Sequence, residues 1–156
     1  MSEHPPTELE LKKQILYGVA LFTGISEKAF EFLASQATES CLSALCIIVR
    51  QGDPGTKLFI IAKGEVRVVR QGRQHEIEVA RMRDGDFFGE MCILERLPRS
   101  ATVQAMTDTR LLLLSYAAFE VLFEQMPLEH HRVLTNMARA LSARLRDLGD
   151  FFALRA

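Results

Sequence analysis

The chain has 156 residues, of which 48% are hydrophobic and 25% are charged, and its formal net charge is −1. This length fits one globular domain, and the near-neutral charge argues against nucleic-acid binding, which needs clustered positive charge. No apolar run approaches the roughly 20 residues that span a bilayer, and the first residues lack the apolar core of a signal peptide. We therefore expect a cytoplasmic protein without a nucleic-acid or membrane partner.

The chain begins with a helical pattern. Apolar residues recur at helical spacing from about Thr7 to Val19, which predicts a first helix. A turn follows at residues 21–26, where Ser26 is a good N-cap for a second short helix.

From Thr38 the pattern changes to short strand-like runs separated by glycine-containing turns, as at residues 52–55, 63–64 and 71–73. Many short strands at regular spacing predict a β-sandwich or a β-barrel. In the run after His75, Ile77 and Val79 alternate with glutamates, so we expect these two side chains to be buried. We interpret three glycines as turn residues that shape the sheets and do not contact a ligand: Gly52, Gly55 and Gly64.

The three cysteines suit a reducing compartment. Cys41 and Cys46 are five residues apart in a strand-like stretch, so we expect their side chains on opposite faces of one strand. Neither has a metal-binding spacing, and we interpret Cys92 as a small packing residue. We expect no metal site and no cofactor.

Residues 88–102 combine groups that suit an anion and a sugar. Gly89 and Glu90 stand at the first turn of a predicted short helix, and Arg99 follows Glu90 by nine residues. Helix N-termini attract phosphates, and an arginine fork matches phosphate oxygens. Because a carboxylate repels a phosphate, Glu90 fits a ribose hydroxyl instead. The alternatives are that Glu90 only stabilises the helix dipole and that Arg99 is a surface ion-pair partner.

Helical patterns return at the end of the chain. Ser115 is a plausible N-cap, and Pro127 suits the first position of the last helix. That helix carries an apolar seam with spacings of 4, 3, 4, 3 and 4 residues: Leu134, Ala138, Leu141, Leu145, Leu148 and Phe152. Such a seam predicts a homodimer; the alternative is that the helix packs this stripe on its own domain. Four residues off the seam are interpreted as solvated: Arg139, Arg144, Arg146 and Asp147.

The order of elements and two motifs resemble the cyclic nucleotide-binding domain family, of the catabolite activator protein and protein kinase A regulatory subunit type. Residues 88–102 are similar to the family's phosphate-binding cassette, and residues 50–66 to its paired barrel glycines. The resemblance implies a mainly β fold with flanking helices, an eight-stranded β-roll or jelly-roll barrel. It implies N-terminal helices in residues 1–20, the nucleotide-binding barrel in residues 21–126 with its cassette and short helix at residues 87–102, and lid or dimerisation helices in residues 127–156.

The resemblance also implies a role for each cassette residue. Glu90 accepts a hydrogen bond from the ribose 2′-hydroxyl, and Arg99 pairs with the exocyclic oxygens of the cyclic phosphate. Ser100 can reach the phosphate or a guanine amino group, so it does not decide between cAMP and cGMP. Backbone N–H groups complete the phosphate cradle at four residues: Gly89, Met91, Cys92 and Ala101.

We interpret the chain as a non-catalytic sensor or regulatory module whose ligand is cAMP, with cGMP as the alternative. Only seven residues follow Gly149, so we expect a stand-alone module without a DNA-binding helix-turn-helix. It would act through its C-terminal helices on a dimer partner or an effector protein, with Phe151 and Phe152 as candidate lids over the base. The alternatives are a phosphodiesterase-like enzyme, for which the sequence offers no His/Asp cluster, and a scaffold that keeps the fold without the ligand.

Overall fold

The computed structural model describes residues 4–155, which contain eight strands. In chain order the strands are β1 Thr38–Leu42, β2 Ile47–Val49, β3 Lys57–Lys63, β4 Glu65–Gln71, β5 Glu76–Arg83, β6 Phe87–Phe88, β7 Thr102–Ala105 and β8 Thr109–Ser115. They form two four-stranded antiparallel sheets, ordered β1-β8-β3-β6 and β2-β7-β4-β5. The predicted mainly β fold is confirmed, but the strands make two separate sheets and not one closed barrel.

Helices flank the sheets at both ends of the chain. They are α1 Glu8–Tyr17, α2 Glu27–Gln36, α3 Met91–Leu94, α4 Tyr116–Gln125 and α5 Pro127–Ala153, with a short 3-10 helix at Ala20–Phe22. The first helix ends two residues earlier than predicted, with Gly18 as its C-cap. The hydroxyls of Ser26 and Ser115 accept hydrogen bonds at the first turns of α2 and α4, so both predicted N-caps are confirmed.

Two apolar layers lie on either side of the first sheet. Leu58 and Ile60 of β3 pack with the helices, whereas Phe59 and Ile61 of the same strand pack against the second sheet. A strand that is covered on both faces needs apolar side chains at successive positions. This explains the unbroken apolar run of β3, and it places β3 at the centre of the molecule.

The prediction that Ile77 and Val79 are buried is wrong, since they are 49% and 37% exposed. The inward-facing residues of β5 are Ala80 and Met82, which pack against the core between the sheets. An irregularity in the pairing of β4 with β5, next to Val68, shifts the register at this point. Because side chains alternate along a strand, such a shift decides which set of residues faces the core.

The two exposed cysteines do not share a strand. Cys41 belongs to β1 in the first sheet, and Cys46 precedes β2 in the second. Between them the chain crosses from one sheet to the other at Leu45, whose φ is +72°. The prediction of one continuous strand fails because the crossover carries no glycine or proline to mark it.

The long helix α5 is docked along its first half only. Val133 and Met137 are fully buried, and the Asn136 amide donates hydrogen bonds to the carbonyls of Leu21 (3.0 Å) and Thr23 (2.8 Å). Towards its C-terminus the helix is exposed. No helix within residues 4–155 is long and apolar enough to cross a membrane.

Candidate functional site

A pocket lies between the second sheet, the short helix α3 and the helix α5. Each of the four neighbouring strands of that sheet contributes one apolar side chain to it: Val49 from β2, Val103 from β7, Val68 from β4 and Met82 from β5. The sheet therefore gives the pocket an apolar wall, which suits the face of a flat aromatic ring. The polar groups come from the segment that includes α3 and from α5.

Glu90 stands at the N-terminal end of α3 and faces this pocket. Gly89, with φ of +82°, brings the chain from β6 into the helix through a backbone conformation that L-residues rarely adopt. The Glu90 carboxylate makes no capping hydrogen bond to its own helix, and the side chain is only 12% exposed. A merely dipole-stabilising acid does not need this burial, and the ion pair of this carboxylate is with Nη1 of Arg144, 3.8 Å from Oε1.

Arg99 reaches the same pocket from the other end of the segment. Its Nη1 donates to the carbonyls of Lys57 (3.2 Å) and Gly89 (3.4 Å), and its Nη2 donates to the carbonyl of Lys57 (3.2 Å). Within residues 4–155 no hydrogen bond is made by Nε. These contacts hold one end of the guanidinium and leave the edge formed by Nε–H and the second Nη2–H for an external acceptor. Its partners are backbone carbonyls, unlike those of a surface ion pair.

The other predicted site residues also line this pocket: Met91, Cys92, Ser100 and Ala101. The Cys92 side chain is buried, and its thiol donates to the Gly89 carbonyl at 3.0 Å. Burial raises the pKa of this thiol above its usual value, which keeps it protonated and poorly nucleophilic. In the first turn of α3 the N–H of Ile93 donates to the Glu90 carbonyl at 2.9 Å, whereas the N–H groups of Met91 and Cys92 have no acceptor within the helix.

Arg144 of α5 is a pocket residue that sequence reasoning missed, because it was interpreted as solvated. Its side chain is 30% exposed and its Nη1 lies 3.8 Å from Oε1 of Glu90. Its Nη2 donates to the Phe87 carbonyl at 2.6 Å, and its guanidinium lies over the Phe87 ring at 4.5 Å. The missed signal is a second stripe on α5 with spacings of 4, 3 and 4, formed by Val133, Met137, Ala140 and Arg144.

A second arginine joins α3 to the neighbouring helix. Arg96 follows α3 with φ of +53°, donates to Glu120 of α4 at 3.2 Å and lies over the Tyr116 ring at 4.2 Å.

The candidate lid residues lie away from the pocket: Phe151 and Phe152 pack edge to face at 5.6 Å near the end of α5 and are largely exposed. Arg144 is the α5 residue that lines the pocket.

Comparison with known proteins identifies relatives of this chain. The family model described as cyclic nucleotide-binding domain matches residues 41–126. The chain is 34% identical to the cyclic AMP receptor protein of Thermus thermophilus over 132 residues, which are 83% of this chain and 59% of that protein. It is 35% identical to the cGMP-dependent protein kinase egl-4 of Caenorhabditis elegans over 95 residues, 61% of this chain and 12% of the kinase.

A solved structure extends the similarity to nearly the whole chain. The crystal structure of a cyclic nucleotide-binding domain from Methylobacillus flagellatus has a TM-score of 0.83 at 28% identity, covering 95% of this chain and 84% of that one. The Thermus thermophilus catabolite activator protein has a TM-score of 0.73 at 31% identity, with coverage of 86% and 62%. The region matched by this chain covers less than two thirds of the length of either curated relative.

Proposed function

The chain belongs to the cyclic nucleotide-binding domain family, and we propose that it binds a 3′,5′-cyclic nucleotide monophosphate in the pocket between α3 and the second sheet. One observation carries this proposal. Arg99 and Glu90 line one pocket, beside an apolar wall. The Nε–Nη2 edge of Arg99 has donors left for an external acceptor, and the Glu90 carboxylate makes no capping hydrogen bond to α3. A ligand with an anionic phosphate, a hydroxyl-bearing sugar and a flat ring matches these three features.

Each part of the ligand then has a partner in the chain. The Nε–Nη2 edge of Arg99 pairs with the exocyclic phosphate oxygens, and backbone N–H groups of α3 complete the anion site. Glu90 accepts a hydrogen bond from the ribose 2′-hydroxyl, using the carboxylate oxygen that does not face Arg144. The base lies on the valine and methionine wall, with Ser100 at the pocket edge. We propose cAMP as the ligand, with cGMP as the alternative.

We further propose a regulatory, non-catalytic role in the cytoplasm. The relatives include a cGMP-dependent protein kinase, a cyclic AMP receptor protein and a cyclic nucleotide-gated potassium channel, and these names support a regulatory role. The thiols of Cys41, Cys46 and Cys92 are free, which fits a reducing compartment. The effector is a protein that α5 contacts or a second copy of the chain.

The output passes through α5, because Arg144 joins this helix to the ligand-binding segment. Its guanidinium contacts both Phe87 and Glu90, so a ligand that engages Glu90 changes the surroundings of Arg144. A ligand can shift a helix only by binding more tightly to one arrangement than to another. The exposed C-terminal half of α5 is free to take up such a shift.

The apolar seam of α5 supports a homodimer. The helix packs on its own domain through the stripe of Val133 and Met137, whereas the neighbouring seam residues Leu145 and Phe152 are 69% and 67% exposed. Large apolar side chains spaced along one helix face favour pairing with another helix. Leu141 of the seam still packs on the core of the domain, and the seam is exposed beyond this residue.

The role of Glu90 predicts a specific change in ligand discrimination. We expect Glu90→Ala to weaken cAMP binding about 10-fold to 100-fold, because a hydrogen bond to a charged group is lost. Binding of 2′-deoxy-cAMP, which lacks the hydroxyl that Glu90 recognises, is expected to change little. Isothermal titration calorimetry with both nucleotides measures the two affinities.

The matched control is Glu95→Ala, which removes an exposed carboxylate at the other end of α3 and should leave both affinities unchanged. Heat from neither cAMP nor cGMP with the native chain would overturn the proposed function and favour the scaffold alternative. Equal weakening for cAMP and its 2′-deoxy analogue would remove Glu90 from the ribose site.

The dimer proposal predicts that a charge in the seam separates the two copies. Leu145→Asp places a carboxylate on the exposed apolar stripe, and we expect a monomer at tens of micromolar, with nucleotide affinity within about 3-fold of the native chain. Light scattering measures the mass. Leu128→Asp is the control, since Leu128 is 74% exposed on α5 but lies off the seam; a native chain that is already monomeric would refute the dimer.

A further inference from the structure

The strand β5 is a long edge strand with one side free. It lies at the end of the second sheet, and within residues 4–155 only β4 pairs with it. It has eight residues, whereas the other edge strands, β1, β2 and β6, have five, three and two. None of its residues is buried and six are exposed. Proteins usually keep edge strands short, because their unpaired N–H and C=O groups attract other strands.

The charges of β5 are ordered so that the strand complements itself. Its sequence is Glu-Ile-Glu-Val-Ala-Arg-Met-Arg, with both glutamates in the first half and both arginines in the second. In an antiparallel pair of two such strands about a two-fold axis, Glu76 lies opposite Arg83 of the second copy, and Glu78 lies opposite Arg81. In a parallel pair in register, each charge would face a like charge, which destabilises a sheet. The charge order therefore favours the antiparallel pair.

An irregularity in β5 places these four charges on one face of the sheet. The pairing of β5 with β4 skips Val79, which is an extra residue in the strand. In a regular strand residues 78 and 81 would lie on opposite faces, yet Glu78 and Arg81 form an ion pair, with 3.0 Å between Oε1 and Nε. Glu76 and Arg83 lie two positions further out on either side and share this face. Opposite charges can thus meet across the axis, which a regular strand in the same register would prevent.

These side chains have donors and acceptors left for a second chain. Within residues 4–155, neither the Glu76 carboxylate nor the Arg83 guanidinium makes an ion pair or a hydrogen bond. Arg81 uses Nη1 for Glu65 at 3.1 Å and Nε for Glu78. Across the axis, Glu78 and Arg81 of both copies would form a group of four alternating charges, and such networks stabilise more than isolated surface pairs do.

The exposed apolar side chains of β5 would also be covered by a second copy. Ile77 and Val79 are 49% and 37% exposed. The antiparallel register sets them opposite Met82 and Ala80 of the second copy, and cross-strand apolar pairs of this kind stabilise a sheet. The alternation of Ile77 and Val79 with glutamates, which does not lead to burial within one chain, fits burial between two chains.

We propose that β5 is a self-association surface, along which two copies of the chain pair antiparallel and join their second sheets into one sheet of eight strands. The contact is isologous, since the same strand serves both copies. Because it is small, we expect a weak dimer with a Kd of about 0.1–1 mM. It uses neither the α5 seam nor Glu90 and Arg99, so it stands apart from the seam dimer and from nucleotide binding. Where the seam also pairs, two different two-fold contacts build assemblies larger than a dimer.

Sedimentation equilibrium of the full chain carrying Leu145→Asp tests the proposal, because this substitution charges the α5 seam and leaves β5 intact. We expect a monomer at tens of micromolar and a growing dimer fraction up to about 1 mM. Glu76→Arg should raise the Kd at least about 5-fold, since an arginine then faces Arg83 of the second copy, and Arg83→Glu should do the same.

The double exchange of Glu76→Arg with Arg83→Glu restores opposite charges across the axis and should return the Kd to within about 2-fold. Residues 76 and 83 lie roughly 20 Å apart along one strand, so this rescue requires contact between two chains. Glu124→Arg is the matched control, because it makes the same charge change at an exposed residue of α4 and should leave the Kd unchanged.

NMR of the same Leu145→Asp chain locates the contact without any change in β5. Backbone amide resonances of residues 76–83 should shift with concentration, whereas those of β2, at the other edge of the sheet, should not. A mass that stays monomeric up to about 1 mM would overturn the proposal and mean that the charges only protect the edge. A double exchange that associates as weakly as the single variants, or shifts confined to residues outside β5, would overturn it too.

Discussion

Replacing Arg99 by alanine is expected to weaken cAMP binding by at least about 100-fold. The phosphate would lose two N–H donors from a charged group, each contributing about 1.5–3 kcal/mol, and a loss of about 3 kcal/mol is already more than 100-fold in Kd. The loss is large because three contacts to carbonyls of Lys57 and Gly89 hold the guanidinium in place before the ligand arrives. Calorimetry with cAMP and cGMP measures the effect.

Two further variants test whether the loss of affinity depends on the planar guanidinium and on its position at residue 99. Arg99→Lys keeps the charge but not the planar fork, so we expect an affinity between those of the native chain and Arg99→Ala. Arg70→Ala removes an exposed arginine at the end of β4 and should leave binding unchanged. If Arg99→Ala binds as tightly as the native chain while remaining folded, the phosphate does not bind at Arg99.

The features that could be predicted from the sequence depend on neighbours along the chain. Ser26 and Ser115 cap helices that begin at the next residue. Glu90 and Arg99 belong to one segment of fifteen residues, so their spacing carries the anion-and-ribose interpretation without knowledge of the fold. The series of strands could also be predicted, because glycine-containing turns separate the strand-like runs of residues.

The features that were missed depend on contacts between distant residues. Gly55 and Arg99 are 44 positions apart, yet a Cβ on Gly55 would lie 2.3 Å from Cζ of Arg99, and nothing in the sequence of the loop signals this contact. The burial of β5 follows from a register irregularity next to Val68 in its partner strand. Arg144 was misread because α5 carries two apolar stripes, and only the packing of Val133 decides which of them faces the domain.

Gly89→Ala is expected to reduce the free energy of unfolding by about 2–5 kcal/mol and to abolish nucleotide binding. Its φ of +82° alone costs an L-residue roughly 1–2 kcal/mol. The new methyl group would also lie 2.6 Å from Nη1 of Arg99 and 2.8 Å from the Lys57 carbonyl oxygen, and relieving such overpacking costs about 1–3 kcal/mol more. Urea unfolding measures the stability and calorimetry the binding.

Gly24→Ala separates these two causes. Gly24 has nearly the same φ, +83°, but a Cβ there would have no atom within 4 Å, so this variant should show only the backbone cost and should bind cAMP normally. Equal destabilisation of the two variants would mean that crowding at Gly89 is relieved without strain. Retained binding in Gly89→Ala would contradict the proposed anion site at Arg99. Relief of the crowding requires a movement of the Arg99 guanidinium or of the Lys57 carbonyl that binds it. The comparison therefore tests whether this glycine serves the chain reversal alone or the anion site as well.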